Sequence, residues 1–210
     1  MRTFFSVLIL ALFGFALQTT AANADFAPSP DPSRIMLSPA ADGSTGQIVS
    51  WRTDAATTTG SVQYEPVAGG PTVTVAGTVG EPIDFSIWSG SGWTYISGHH
   101  TATLTGLSPA TQYRYRVGKE GNWSDWFTFE TAADDGSPWE MIYFGDAQTN
   151  LDTHWPPVVD KAFAKSPNAK FSLHAGDMIN DPEKDHQFGQ WVAGLGSHAQ
   201  TRNHFAVSGT

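Results

Sequence analysis

The strongest constraint in this sequence is a change of pattern near Pro138. From Arg34 to about Ala132 the chain consists of short segments of alternating polarity separated by Gly, Pro, Thr and Ser clusters, which is the pattern of an all-β sandwich. The segments predicted as strands are Arg34 to Ser38, Gln47 to Arg52, Gly60 to Tyr64, Thr72 to Val79, His100 to Thr105, Gln112 to Val117 and Trp126 to Thr131. Within Gln112 to Val117 the period of two sets Tyr113, Tyr115 and Val117 on a core face and Arg114 and Arg116 on a solvated one. From Pro138 onward two apolar runs end in Gly-Asp: Trp139 to Asp146, and Ala169 to Asp177. Pro156 to Lys165 has helical spacing with Pro at its start, and His186 to Ala199 predicts a second helix interrupted by Gly194 and Gly196. Asn203 to Gly209 predicts a third strand, so the order is β-α-β-α-β. Strands joined by such crossovers run parallel and place their carboxyl ends on one edge of the sheet, where open α/β sheets bind ligands. Asp146 and Asp177 are therefore expected to converge on one crevice.

Charge and composition exclude several classes. The 210 residues carry 11 Lys and Arg against 20 Asp and Glu, a net charge of −9. No run of basic residues offers a stripe for a phosphate backbone, so no nucleic-acid partner is expected. With 0 cysteines, disulfides, thiolate metal sites and a Cys nucleophile are ruled out. At the N-terminus, Met1-Arg2-Thr3, the apolar run Phe4 to Leu17 and Ala22-Asn23-Ala24 follow the order of a secretory signal peptide. Cleavage is expected after Ala24, leaving a mature start at Asp25 in a secreted or periplasmic protein. The 14-residue apolar run falls short of the roughly 20 residues that a spanning helix needs, so no stable membrane anchor is expected. Residues 25–33 read as a Pro-rich linker.

Leu107-Ser-Pro-Ala-Thr-Gln-Tyr113 is a Pro-containing turn that ends in Tyr at the start of a strand. It resembles the tyrosine corner of immunoglobulin-like sandwiches, whose hydroxyl bonds back to the preceding loop. With Val49-Ser50-Trp51 and Trp126-Phe-Thr-Phe-Glu-Thr131, residues 34–132 resemble a fibronectin type III-like domain. The run Pro32-Ser-Arg-Ile-Met-Leu-Ser38, then Trp51, then His100 to Pro109 and Tyr113-Arg-Tyr-Arg-Val-Gly118 narrows this to the N-terminal domain of purple acid phosphatases. Phe85, Trp88, Trp93 and Tyr95 lie in a Gly/Ser-rich stretch that does not alternate. They are expected to cap one end of the sandwich or to pack on the next domain. The alternative is an exposed aromatic surface for sugars, which would make the chain an extracellular adhesion or carbohydrate-binding module rather than an enzyme.

Two carboxylates about 4 Å apart repel by roughly 4 kcal/mol at an effective dielectric near 20, so a site that gathers them holds a proton or a cation. Glycine before each Asp lets the backbone turn sharply and a hydrated metal or phosphate approach. Oxygen-rich ligation with some imidazole suits Mn, Fe or Zn, and two such ions clamp the attacking and leaving oxygens of an in-line displacement. Taken alone, two Gly-Asp pairs also serve as turn or helix caps. Their order with the helices and with Val207-Ser-Gly209 resembles the start of the calcineurin-like metallophosphoesterase fold. That resemblance implies Asp146 as a ligand of the first metal, Asp177 as the bridging ligand and a pair of Fe, Zn or Mn ions. It also implies a phosphate-ester substrate and acid phosphatase-like hydrolysis of monoesters by metal-activated hydroxide.

The departures from that pattern carry consequences. Gln148 stands where many relatives have a ligating His, and is either a weak ligand through its amide oxygen or a group behind the ligands. Asn180 replaces the iron-binding Tyr of purple enzymes, so their charge-transfer colour is expected to be missing. Thr210 falls where the family has an Asn ligand. Among the histidines, His174 is expected to be a packed core imidazole, and His154 a solvated loop residue, the alternative being that it reaches the crevice from its position near Asp146. His186 and His198 are placed on a surface helix and His204 at the start of the last strand, and no residue is assigned catalysis. Residues 139–210, 72 positions, are too few for a complete two-sheet hydrolase. The chain is accordingly expected to be the N-terminal part of a longer phosphatase, inactive by itself, with an open-edged and marginal α/β segment.

Overall fold

A computed structural model describes residues 26–85 and 96–209. The expected signal peptide over residues 1–24, the aromatic residues Trp88, Trp93 and Tyr95, and Thr210 lie outside the described residues. Among those described, no helix is long and apolar enough to cross a membrane.

The first half is a sandwich of two sheets. In one, β1 (Ser33–Pro39) pairs antiparallel with β2 (Gly46–Asp54). The order in the other is built around β3 (Ser61–Pro66), which lies between β4 (Val73–Ala76) and the strand Gln112–Lys119. The segment predicted as one strand, Thr72 to Val79, is two: β4 joins the second sheet, and β5 (Thr78–Val79) crosses to the first. Gly77 separates them, and a Cβ there would stand 2.7 Å from Cη2 of Trp51, so the crossing depends on a residue without a side chain. β5 and β6 (Ile83–Asp84) both pair with β7 (Ile96–Thr105), which in turn pairs with β2 along its length. The second sheet is completed by β8 (Gln112–Lys119), β9 (Asn122–Trp123) and β10 (Phe127–Glu130).

Alternation decides what lies between the sheets. Leu37, Val49, Val62, Leu104 and Val117, with Tyr115 among them, have no exposed surface, and burying each of the aliphatic side chains stabilises by about 1.5–3 kcal/mol. The tyrosine corner is formed as expected: the Ser108 N–H donates to the Tyr113 hydroxyl at 2.9 Å, and the ring stacks on Phe129. The opposite face of β8 is less open than alternation predicts. Arg114 lies over Trp126, and Arg116 lies between Trp126 and Trp123, 4.9 and 4.7 Å from the ring centres. Arg116 is half-buried because its guanidinium stacks on the indoles instead of reaching into water.

The second half runs β11 (Glu140–Phe144), α1 (Trp155–Lys165), β12 (Ala169–His174), α2 (Asp185–Gly194), α3 (His198–Thr201) and β13 (Asn203–Ala206). β12 pairs in parallel with both β11 and β13. The helix predicted over His186 to Ala199 is broken into α2 and α3, because Gly196 takes φ +56° and turns the chain between them. Ile142, Phe144 and Ala169 pack with Trp155, Val159 and Phe163 of α1 and with Trp191 and Leu195. Met141, Tyr143 and Phe205 alternate onto the other side of the sheet and are exposed.

Of the two edges of the three-stranded piece, the one at β11 stays at the end of the sheet and the one at β13 is closed. Asn203 pairs in parallel with Leu37 of β1, so among the described residues the three parallel strands and five strands of the sandwich form one eight-stranded sheet. The Gln47 side-chain amide fixes the seam, donating to the Ser38 carbonyl at 2.8 Å and to Asn203 Oδ1 at 2.7 Å. Pairing there satisfies backbone groups that a free edge leaves to solvent.

A buried ionic clamp joins the halves a second time. Asp185, in the first turn of α2, accepts from Arg34 through both carboxylate oxygens at 2.6 Å and from Arg52 Nη1 at 2.9 Å. Arg52 also donates to the Phe26 carbonyl at 2.6 Å. Arg34 occupies φ +50° at the register shift between Ser33 and Met36, a bulge that re-aims its side chain. A third contact is the Tyr115 hydroxyl, which donates to the Gln200 carbonyl at 2.9 Å.

Candidate metal centre at the strand ends

Phe144 and His174 are register partners at the ends of β11 and β12, and the Ala175 N–H donates to the Phe144 carbonyl at 3.0 Å. Gly145-Asp146 and Gly176-Asp177 therefore leave adjacent strands at the same level, on strands about 4.8 Å apart. On the far side, the Val207 N–H donates to the His174 carbonyl at 3.2 Å, which brings Ser208 and Gly209 to the same edge. The expected convergence of the three strand ends is what the backbone shows.

Crowding at this edge explains Gly176 and Gly209. A Cβ on Gly176 would stand 2.8 Å from the Gly209 Cα, and a Cβ on Gly209 would collide with Asp177 Oδ1 and its backbone nitrogen. Gly176 takes φ +97° and Asp177 φ +44°. Asp is among the few side chains that enter this left-handed region, and held conformations of this kind cluster at binding and catalytic sites.

Asp146 is exposed and lines a recess of about 250 Å³ with Thr149, His154 and Trp155. His154, expected as a solvated loop residue, is exposed and also reaches that recess. Gln148 is half-buried two positions after Asp146. Asn180 is exposed in the loop between β12 and α2, where its N–H and that of Asp181 each donate to Gln187 Oε1 at 2.9 Å. Among the described residues no three His, Asp or Glu side chains gather closely enough to hold an ion. The donors at the edge are hard oxygens, which suit Mn among the expected metals, whereas Fe and Zn also take imidazole, and the Asp177–Gly209 cradle leaves no room for a competing side chain. Two carboxylates are one donor short of the three protein ligands of a catalytic zinc site.

The imidazoles behind the edge serve the core. His174 is buried, stacks on Phe144 and meets Trp191 edge-on. Ser172 Oγ lies 2.8 Å from His174 Nε2 and 2.7 Å from His204 Nδ1, while His204 Nε2 lies 2.9 Å from the His198 carbonyl. That carbonyl accepts only, so His204 carries its proton on Nε2, Ser172 donates to His204 Nδ1, and His174 Nε2–H donates to Ser172. Burial lowers His174 to about 3, with the neighbouring His204 adding to the shift. Burial likewise lowers His204 to about 4, partly opposed by its bond to the His198 carbonyl. Both are neutral at ordinary pH. His198 was placed on a surface helix but is half-buried, because its ring stacks flat on Phe163 at 3.9 Å. His186 is half-buried too.

Sequence reasoning missed Arg34, Arg52 and Asp185. The one available signal is an acid in the first turn of a helix that follows Pro182. Its partners come from strands more than a hundred residues earlier.

The described fold is thus a β-sandwich with a tyrosine corner, continued by parallel strands whose Gly-Asp ends share one edge. Residues 32–131 match the family model of the purple acid phosphatase N-terminal domain. Among solved structures, the purple acid phosphatase PPD1 from yellow lupin (Lupinus luteus) seeds is similar at 18% identity and a TM-score of 0.73. The overlay covers 85% of this chain and 35% of PPD1, so the shared fold extends past the sandwich. PhoD is similar at 13% identity and a TM-score of 0.54, over 87% of this chain and 39% of its own. The chain thus spans between a third and two fifths of the length of these structures. At such identities the likeness is one of fold. No curated protein matches the sequence.

Proposed function

We propose that the chain carries the sandwich domain and the metal-binding edge of an exported, metal-dependent phosphoesterase that acts on phosphate monoesters. The observation that carries this reading is the placement of Asp146 and Asp177 at the ends of neighbouring parallel strands, directly behind a purple acid phosphatase N-terminal domain. The fold shared with PPD1 and PhoD supports it, and the signal-like residues 1–24 support export. In this reading residues 25–33 are a linker, 34–132 the sandwich domain and 139–210 the first part of a metallophosphoesterase domain.

Asp146 and Asp177 would hold the metals, with Gln148 and Asn180 beside them. A bound pair of Fe, Zn or Mn ions supplies Lewis-acid charge that acidifies water and neutralises phosphoryl oxygens. The chain's own part is to present the carboxylates. Asp177 is fixed by its cradle, and the glycines at positions 145, 176 and 209 let a phosphate reach the backbone. Cation charge also reverses the local sign of a chain whose net charge is −9.

Calorimetric titration of residues 25–210 with Mn²⁺ tests the reading. Binding heat that disappears in both Asp146→Asn and Asp177→Asn is expected, and heat unchanged in either variant contradicts it. With two carboxylates at the edge, the chain alone is expected to hydrolyse negligible p-nitrophenyl phosphate. Measurable turnover abolished by Asp177→Asn would overturn that part.

A further inference from the structure

The loop that leaves Asp177 is tied to the sandwich through the start of α2. Residues 178–184 contain no helix or strand, yet their backbone is held. Met178 and Ile179 pack against the second core. The N–H groups of Asn180 and Asp181 both donate to Gln187 Oε1 at 2.9 Å, and the Lys184 N–H donates to the Asp181 carbonyl at 3.0 Å. Gln187 is the third residue of α2, the position from which a Gln side chain reaches back over a helix start. Loop and first turn therefore form one hydrogen-bonded body, and only Met178 and Ile179 separate the bonded Asn180 from Asp177.

The anchor of that body comes from the other half of the chain. Lys184 at the N-cap makes no side-chain capping bond, so α2 starts without the bond that ordinarily fixes a helix N-terminus. Asp185 supplies the hold instead. Its carboxylate accepts from both Nη atoms of Arg34 at 2.6 Å and from Arg52 Nη1 at 2.9 Å, and Arg34 Nη2 also donates to its main-chain carbonyl at 3.0 Å. Three of these four bonds come from one guanidinium, whose planar fork fixes direction as well as distance. One turn further on, Gly189 leaves room for the Phe26 ring, which any side chain there would strike, and the Phe26 carbonyl accepts from Arg52.

We propose, resting on the reading of Asp177 as a metal ligand, that Arg34 and Arg52 are positioning residues for the metal edge. Through Asp185 they set the start of α2, and through Gln187 and Asn180 they set the direction in which Asp177 presents its carboxylate. The sandwich is then part of the machinery of the site and not a module merely joined to it. Groups that orient a metal ligand from behind govern affinity without touching the ion, and here that task falls to two side chains more than a hundred residues earlier in the chain.

Arg34→Lys tests this, because it keeps the charge and replaces the fork with a single ammonium. In the ¹⁵N-labelled, metal-free chain it is expected to shift the amide resonances of Asn180 and Asp181. It should also weaken Mn²⁺ binding about tenfold, the lower end of the cost of losing a group behind a metal ligand. Gln187→Met leaves the Asp185 clamp in place, cuts the link from α2 to the loop, and should weaken Mn²⁺ binding to a similar extent. Tyr113→Phe lowers stability within the sandwich but touches no part of this route, and is expected to do neither. Asn180 and Asp181 resonances unmoved in Arg34→Lys overturn the proposal, as does Mn²⁺ affinity unchanged in Gln187→Met or weakened equally in Tyr113→Phe. A chain whose loop responds to Arg34→Lys but which binds no Mn²⁺ contradicts the metal reading alone. One that binds Mn²⁺ at the edge without that response contradicts this proposal alone.

Discussion

The carboxylate of Asp177 lies against the Cα of Gly209, so closely that any side chain at 209 would occupy its place. Gly209→Ala should therefore displace Asp177 or force the two strand ends apart. Overpacking of this kind costs about 1–3 kcal/mol. Urea denaturation monitored at Trp155 and Trp191 is the check, together with a loss of Mn²⁺ binding as large as that of Asp177→Asn. Gly145→Ala meets nothing within 4 Å and should leave stability nearly unchanged.

Asp185 holds two arginines from the sandwich, and its side chain is 1% exposed beside Arg52 at 3%. Removing its charge takes the carboxylate away from the buried Arg52 and the partly buried Arg34, and breaking a buried pair from one side costs about 3–5 kcal/mol. Asp185→Asn should fall in that range and loosen α2 before the sandwich, as read by hydrogen exchange. The contrasting pair is Arg114–Glu65 on the surface, where solvent screens the charges and Glu65→Gln should leave stability nearly unchanged.

The neutral pair His174 and His204 makes the second half acid-sensitive. Both folded values, about 3 and about 4, lie below the ordinary 6.5, so the unfolded chain takes up protons that the folded one refuses. Their contribution is complete above pH 6.5 and is lost as the pH falls from 6.5 towards the folded values. Each group adds a slope of about 1.4 kcal/mol per pH unit in that window. His174→Phe keeps the aromatic contacts with Phe144 and should flatten the slope by about half. Unfolding midpoints measured from pH 7 to pH 4 provide the test, and an unchanged slope would show that other groups carry the sensitivity.

Tyr113→Phe removes the hydroxyl that accepts from the Ser108 N–H. The expected loss is about 1 kcal/mol, the usual net value of one such bond, with no effect on metal binding.

The sandwich strands and the tyrosine corner were legible in the sequence because each depends on local patterning. Tyr113, Tyr115 and Val117 had to face inward once a period of two was recognised, and all three are buried. The placement of Asp146 and Asp177 just past the ends of neighbouring strands was legible through strand order, since parallel strands end on the same edge whatever lies between them. The crossing at Gly77 was hidden because β4 and β5 read as one alternating run, and only the Trp51 ring beneath shows why they part. The β1–β13 seam was also hidden. It rests on Leu37 meeting Asn203 and on the Gln47 amide, pairings between residues too far apart in the chain to leave a periodic mark. Arg34 and Arg52 gave no sign of burial for the same reason, because their partner Asp185 lies in the other half.

The central claim is that Asp146 and Asp177 form one cation site at the carboxyl edge of β11 and β12. Mn²⁺ added to ¹⁵N-labelled residues 25–210 broadens amide resonances near the ion, which locates the site directly. The account predicts selective loss of signal for residues 145–148, 176–178 and 208–209, and none in this region for Asp177→Asn. Broadening centred elsewhere, such as at Asp134 and Asp135, or an edge left untouched by Mn²⁺, would contradict it.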